Sequence, residues 1–497
     1  MEKKTKTKKI KSAIFDGEVK IIEVETTFIK ALPGFTIVGL ASNSIQESKE
    51  RIKAALLNNG FEFPALKIIT NLSPANLPKK STALDLPIAL SILFQNSSLD
   101  LSEYLVIGEL GLDGTIKETK EMFAMVLGSG VKKVIAPKTI ASSIAQIPDI
   151  EIFAFDNILQ FLELNIKKEF HKIEDYLINL NKKFNYNYIT IQNKKYFYNN
   201  KFELDFKDIR GQTIAKRVAL ISASGMHNIL LKGSAGVGKS MLINRLKYIL
   251  PPVSLEELLE IEKQNSLDDK EITFNPQRPF RCPHHSSSKG AIFGGRNRIG
   301  EIALANNGIL FFDELPHFKK DILEELRLPL QENKILISRV NSKIEYKTEI
   351  LFAGAMNPCP CGNLLSKQKE CRCSELEIKR YNSKISEPLI DRIDLYLEMI
   401  EDNDDNIISS SEMYQKVLIA FEKQVKRGYF NSKLPENWEF DIEVEAQTIF
   451  EMAIRNFALS KRAQFKVLKV AQTISDLENS NKIDKKALLE ALSYRKR

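Results

Sequence analysis

Apolar positions along this chain recur with two periods, and the places where the period changes divide it into blocks. Between residues 13 and 164, short apolar or alternating runs predict strands at Ala13–Ile29, Phe35–Gly39, Leu66–Asn71, Tyr104–Glu109, Val131–Ala136 and Glu151–Phe155. Stretches of helical spacing separate them, such as Ser44–Asn59, which Gly60 ends. Residues 165–203 are rich in Asn, Lys and Tyr, keep no stable period and read as a linker. From about Leu204 to Met399 strands and helices alternate again: a helix from Thr213 into a strand at Asn228–Leu231, a helix at Ser240–Leu250, and apolar strands at Gly308–Phe312 and Glu349–Ala355. Beyond residue 400, Ser409–Tyr429, Ile442–Ala458, Lys461–Glu478 and Lys485–Tyr494 carry helical spacing alone. The pattern predicts an α/β protein: a basic arm (1–12), an α/β domain (13–164), the linker, a second α/β domain (204–399) and a helical domain (400–497). No internal repeat is evident.

Composition changes this picture little. At 497 residues the chain exceeds one core, and its 27% charged and 43% hydrophobic content is that of an ordinary globular protein. The balance of 72 basic against 64 acidic residues gives +8, which permits a polyanionic partner. Lys3 to Lys11 form the one conspicuous basic run, equally readable as a disordered arm. No apolar stretch approaches the ~20 residues that span a bilayer, and no apolar segment follows the basic start, so a cytoplasmic protein with no membrane partner is expected.

The chemistry starts at GSAGVGKS, Gly233 to Ser240, in the strand-to-helix turn such a loop requires. Gly233, Gly236 and Gly238 let the backbone N–H groups of Ser234, Ala235 and Val237 curl around phosphate oxygens, and the helix that begins there adds its positive end. Lys239 supplies a point charge for the outer phosphates of ATP and Ser240 a hydroxyl for Mg²⁺. The apolar run Gly308–Phe312 then delivers Asp313 and Glu314 at its carboxyl end, where open α/β sheets place ligands. Asp313 would hold Mg²⁺, and Glu314 would orient and deprotonate the attacking water; the bland alternative is a cap on the next helix. Asn357, just past the second strand, can position that water or touch the γ-phosphate.

Four of the five cysteines, Cys359, Cys361, Cys371 and Cys373, form two C-x-C pairs nine residues apart. In a cytosolic chain such pairs point to Zn²⁺ rather than to disulfides, although C-x₂-C is the more usual spacing. Cys282 beside His284 and His285 invites a second metal site.

These segments together carry a resemblance over nearly the whole chain. GFTIVGL, TNLSPANLPKKSTALDLPIAL, GELGLDG, DIRGQTIAKRVALISASGMHNILL, PFRCPHHSSSKGAIFGG, GEIALANNGILFFDELPHF, NPCPCG and ISEPLIDRIDL resemble the YifB/ComM group of magnesium-chelatase-like AAA+ ATPases. The resemblance implies an AAA+ P-loop core with a carboxy-terminal helical lid, an amino-terminal S5/Lon-protease-like domain, and a Cys₄ insert at residues 358–374. It implies a homo-hexameric DNA helicase that promotes branch migration when single strands are integrated during natural transformation, with single-stranded and branched DNA and recombination proteins as partners. Arg392 matches the arginine finger that reaches a neighbour's ATP, and Arg462 the sensor arginine that the lid would bring over the nucleotide; either could instead serve a surface ion pair. The family's pore hairpin falls on Lys334 to Tyr346, so Lys334, Arg339 and Lys343, with Lys289, Arg296 and Arg298 of the Ser286–Arg298 insert, are the candidate DNA contacts, or else a solvated charged surface. For Cys282, His284 and His285 the resemblance implies a packing or DNA-proximal role instead of a second metal site. Where Lon proteases carry serine and lysine this chain has Ala83 and Met122, so no proteolysis is expected. It departs from the family in a shorter GGRNRIGEI, in Asn306 for a histidine, and in His317 where the family prefers an acid. Two rival functions are a chelatase-type ATPase that remodels a partner for metal insertion and an ATP-dependent DNA-binding protein that does not translocate.

Overall fold

The computed structural model describes residues 9–40, 42–97, 99–178, 185–295, 298–338, 343–401 and 407–495. The chain divides into two compact units, Met1–Phe184 with Glu262–Thr273, and Asn185–Ile261 with Phe274–Arg497.

The first unit is built on a seven-stranded sheet in the order Gly34–Val38, Lys67–Ser73, Val19–Ile29, Lys9–Phe15, Tyr104–Val106, Lys133–Pro137, Glu151–Phe155. Val19–Ile29 runs antiparallel to both of its neighbours, while the last four strands run parallel. The helices Asn43–Asn58, Asp85–Leu93 and Met122–Ser129 cover it, and Gly60, just past the first, has the positive φ (85°) that a chain reversal there needs. The stretch Ala13–Ile29, expected as one strand, is a hairpin that turns at Gly17 (φ 79°) and pairs Phe15 with Val19. The basic arm is corrected in the same place. Lys9 to Ser12 belong to the first strand, with Ile10 and Ser12 buried and Lys9 ion-paired to Glu23 and Glu25 at 3.0 Å each. Alternating lysines had masked the period of two.

The second unit centres on a five-stranded, all-parallel sheet in the order Phe280–Arg281, Ile309–Phe312, Leu351–Met356, Ile229–Gly233, Leu395–Met399. Nearly continuous apolar strands of this kind need cover on both faces. The carboxy-terminal helices Ser410–Arg427 and Lys461–Leu477 pack on the helix Thr213–Gly225, and Val218, Ile221, Leu242, Val417, Val467 and Ala471 share one apolar cluster. Polar contacts pin the same joint: Gln424 Nε2 donates to the Ser224 carbonyl at 2.8 Å, and buried His227 Nε2 lies 2.7 Å from Thr473 Oγ1.

Two boundaries differ from expectation. Residues 165–203 are not a bare linker, because Asn187–Ile191 and Lys194–Tyr198 form a hairpin that pairs with Val253–Ser254. Its turn residues Gln192 and Asn193 both have positive φ (48° and 63°), the backbone of a two-residue hairpin loop, with no glycine to announce it. Glu262–Thr273, inside the expected 204–399 block, belongs to the first unit, where Ser266 Oγ donates to the Lys120 carbonyl at 2.6 Å and Asp269 pairs with Lys120 at 3.1 Å.

Candidate nucleotide site

The loop after the Ile229–Gly233 strand turns into the helix Lys239–Leu246 through Gly236 (φ 84°) and Gly238 (φ 99°), a backbone that side-chain-bearing residues rarely adopt. Lys239 is buried at the head of that helix, where Nζ donates to the carbonyls of Gly233 (2.7 Å) and Ser234 (2.8 Å) and to Asn357 Oδ1 (3.1 Å). Burial pulls its pKa below the usual lysine value, against the opposing charges of Asp313 and Glu314. Ser240 Oγ donates to Asp313 Oδ2 at 2.7 Å, so the two expected Mg²⁺ ligands already touch. The backbone N–H of Glu314 donates to Asp313 Oδ1 at 2.9 Å. Parallel neighbours put the three strand ends side by side, which is how residues 233–240, 313–314 and 357 meet at one edge.

Glu314 itself sits in the left-handed region (φ 51°) at the start of a 3₁₀ turn, Leu315–His317. His317 Nδ1 is 3.3 Å from Glu314 Oε2, and His285 Nδ1 is 4.0 Å from the same oxygen. Tyr381 lies beneath, its ring edge-on to His317 at 6.3 Å; burial above all pushes its hydroxyl pKa up to about 12. Sequence reasoning did not assign these three to the site. His285 and His317 stood out only as a doubtful metal pair and a family departure, and Tyr381 gave no signal.

The arginines are elsewhere. Arg392 lies at the amino end of the sheet, where its carbonyl accepts from Asn228 Nδ2 (2.9 Å) and its guanidinium donates to Gln331 Oε1 (2.6 Å) and to the Pro388 carbonyl (2.5 Å). Burial, then the nearby Arg462 and Arg327, lowers its pKa. Arg462, in the first turn of the helix Lys461–Leu477, lines a cavity of about 310 Å³ with Glu387, Asp391, Asp394, Tyr396 and Lys466. One turn on, Lys466 fixes that helix by donating to the carbonyls of Asp391 and Ile393 and pairing with Asp394 at 3.4 Å. Asp394 is itself held by the Asn228 N–H at 3.0 Å. Within one chain the lid thus holds Arg462 beside Arg392 rather than beside the phosphate loop. Asn228 and Gly233 bracket the central strand, about 15 Å apart, and Arg392, with Arg462 near it, stands at the Asn228 end.

The Sγ atoms of Cys359, Cys361, Cys371 and Cys373 lie within 4.8 Å of one another. Separations of 3.4 Å (Cys359 to Cys361) and 3.7 Å (Cys359 and Cys361 to Cys371) approach the edge of about 3.8 Å that a tetrahedron of ~2.3 Å Zn–S bonds requires. Backbone N–H groups of Asn363 and Arg372 pull the Cys361 thiol down to about 6, while, against backbone N–H bonds that lower them, burial and the neighbouring thiols push Cys371 and Cys373 up. The knuckle touches the phosphate loop: a methyl added at Gly362 would meet Ala235 at 3.5 Å. Among the described residues no second His/Cys/Asp/Glu group converges in this way; His284 Nδ1 turns to Ser286 Oγ at 2.7 Å.

Of the candidate DNA contacts, Arg296 and Arg339 lie outside the described residues, as does the hairpin tip Val340 to Ser342. Lys289 is paired with Glu325 (2.5 Å) and Lys334 with Glu345 (2.9 Å), whereas Arg298 and Lys343 are exposed. The insert is also not all loop, since Lys289–Phe293 is a short helix capped by Ser288. Lys334–Ser338 and Lys343–Lys347 form the expected antiparallel hairpin.

The parallel sheet, the phosphate loop and the helical carboxy-terminal part define an AAA+ ATPase of the magnesium-chelatase type. Residues 205–407 match the family described as magnesium chelatase, subunit ChlI, residues 24–140 that of subunit ChlI of Mg-chelatase, and residues 408–495 the ChlI C-terminal family. The chain is 34% identical to competence protein ComM of Haemophilus influenzae over 96% of its own length and 95% of that protein. It is 36% identical to the uncharacterized protein YifB of Escherichia coli over 95% and 94% of the two chains. The chain belongs to the YifB/ComM family.

Proposed function

We propose that this family ATPase is a ring-shaped DNA motor, a homo-hexameric helicase that promotes branch migration as incoming single strands recombine during natural transformation. One observation carries the reading: Lys239, Ser240, Asp313 and Asn357 meet at one edge of the sheet, while Arg392 and Arg462 stand at the other. A head-to-tail neighbour would complete the site, and such contacts close into rings. The relative named for competence supports the setting.

In the proposed site Lys239 gives up its carbonyl partners for the β- and γ-phosphates, Asn357 orients the attacking water, and Glu314 takes its proton. Mg²⁺ held by Ser240 and Asp313 would supply charge neutralisation at the phosphate oxygens. The arginines of the neighbour would stabilise the charge that develops on the transferred group. Zn²⁺ fits the four cysteines and would brace the insert against the phosphate loop. Ala83 and Met122 are wholly buried apolar side chains, which supports a non-proteolytic amino-terminal domain. No helix among the described residues is long and apolar enough to cross a membrane.

The test is unwinding of a forked duplex and migration of a four-way branch, with Lys239→Ala as control. ATP-dependent strand displacement that the control lacks is expected. Binding to DNA without displacement would favour the non-translocating reading, and no response of the ATPase to single-stranded DNA at low salt would contradict the motor.

A further inference from the structure

Two of the chain's five histidines, His317 and His285, converge on one carboxylate, and a third, His284, lies against the second of them. His317 Nδ1 approaches Glu314 Oε2 to 3.3 Å from the turn that follows the acid, and His285 Nδ1 approaches the same oxygen to 4.0 Å from the segment after the edge strand Phe280–Arg281. His284 lies against His285 with ring centroids 4.1 Å apart and the planes tilted by 36°. The rings rest on aromatic neighbours: His285 meets Phe318 at 6.5 Å and His317 at 5.9 Å, and His317 meets Tyr381 at 6.3 Å, each near edge-on. Phe318 is itself stacked on Phe312 at 4.1 Å, so the support reaches into the strand that presents Asp313. An unbraced glutamate side chain with half its surface in solvent would sample several rotamers.

We propose that His317 and His285 form a clamp that positions the Glu314 carboxylate for hydrolysis. A neutral imidazole donates one Nδ1–H, and both nitrogens converge on Oε2, which leaves Oε1 to face the attacking water. His317 is the principal jaw because its Nδ1 is the nearer of the two, 3.3 Å from Oε2 against 4.0 Å for His285. His285 closes the other side, carried by the segment that leads into the Ser286–Arg298 insert. Neither touches the reacting atoms, so both are positioning residues, and their loss acts on turnover rather than on binding ATP. The inference rests on the reading of Glu314 as the group that takes the water proton.

The experiment measures kcat and KM for ATP on the full chain, beside the affinity for a fluorescent ATP analogue. His317→Leu is expected to lower kcat about ten- to a hundredfold with KM changed less than about twofold, as a carboxylate displaced by ~1 Å would. His317→Gln, which keeps a donor at that position, restores most of the loss. Should His317→Leu fail to fold, as judged by analogue binding, His285→Leu decides, with an expected fall of about threefold. Unchanged or raised kcat in the leucine variants, or a glutamine variant no better than leucine, overturns the clamp. Glu314→Gln separates the two levels: if it turns over normally, the role of Glu314 falls as well; if it is inactive while the histidine variants behave as wild type, the clamp alone falls.

Discussion

Lys239 is a cation only 8% exposed, and its three acceptors are two loop carbonyls and the Asn357 amide. Such an arrangement suits a charge that exchanges backbone partners for phosphate oxygens on binding. Lys239→Ala should abolish measurable ATP binding by titration calorimetry. Asn357→Ala should leave binding within about threefold and cut turnover at least tenfold, since it removes an orienting group and not a charge. Equal losses in both variants would deny Asn357 a separate role. Arg392→Ala should bind ATP but hydrolyse it about 10³-fold more slowly.

At the scale of elements, the joint between the lid and the sheet is a half-buried cluster of like charges around one acid. Burial lowers Lys433, Lys466 and Lys469, the last to about 8, with Asp394 acting in opposition. Asp394 is held well below the usual carboxylate range: burial would raise it, but Lys466, His227 and the Asn228 N–H outweigh burial. The signs then differ. A lysine that loses its proton more readily when folded leaves the unfolded chain with more protons between about pH 8 and 10.4, so stability rises with pH there. The thermal midpoint should increase from pH 7.5 to 9.5, and Lys469→Met should flatten that rise. Asp394 contributes above the ordinary carboxylate range and loses its contribution as pH falls through its depressed value. Asp394→Asn should cost about 3 kcal/mol in denaturant unfolding of the second unit. Chelation, or Cys359→Ser, should release one zinc per chain by metal analysis; a chain purified with no bound metal would remove that part of the account.

The same scale shows what was legible. The strands that lead into Gly233, Asp313 and Asn357 were readable because each is a short, mostly apolar run with its functional residue at or just past its end. The carboxy-terminal helices were readable from apolar spacing, with Ser409 and Ser460 as caps. The hairpin at Asn187–Tyr198 was hidden because only Ile191 and Phe197 are buried in it, and a Gln-Asn turn carries little signal. The placement of Arg462 was not readable, because it follows from Lys466 binding carbonyls at Asp391 and Ile393, contacts between positions 75 and 73 residues apart. The histidines around Glu314 come from two loops and have no common spacing.

Across the whole molecule, the phosphate-binding edge and the edge that carries Arg392 are the two ends of the same parallel sheet, and in the proposed reading a neighbouring subunit completes the nucleotide site. Assembly and hydrolysis should therefore rise together with protein concentration, and ATP should promote a closed oligomer in sedimentation analysis. The most direct measurement mixes two inactive variants, Glu314→Gln and Arg392→Ala, in equal amounts with ATP. In a shared site, about a quarter of random interfaces join an intact Glu314 to a neighbour's intact Arg392, and ATPase activity that neither variant has alone should return. Activity no greater than the sum of the two separate variants, in a mixture shown to co-assemble, would contradict a site completed by the neighbouring subunit.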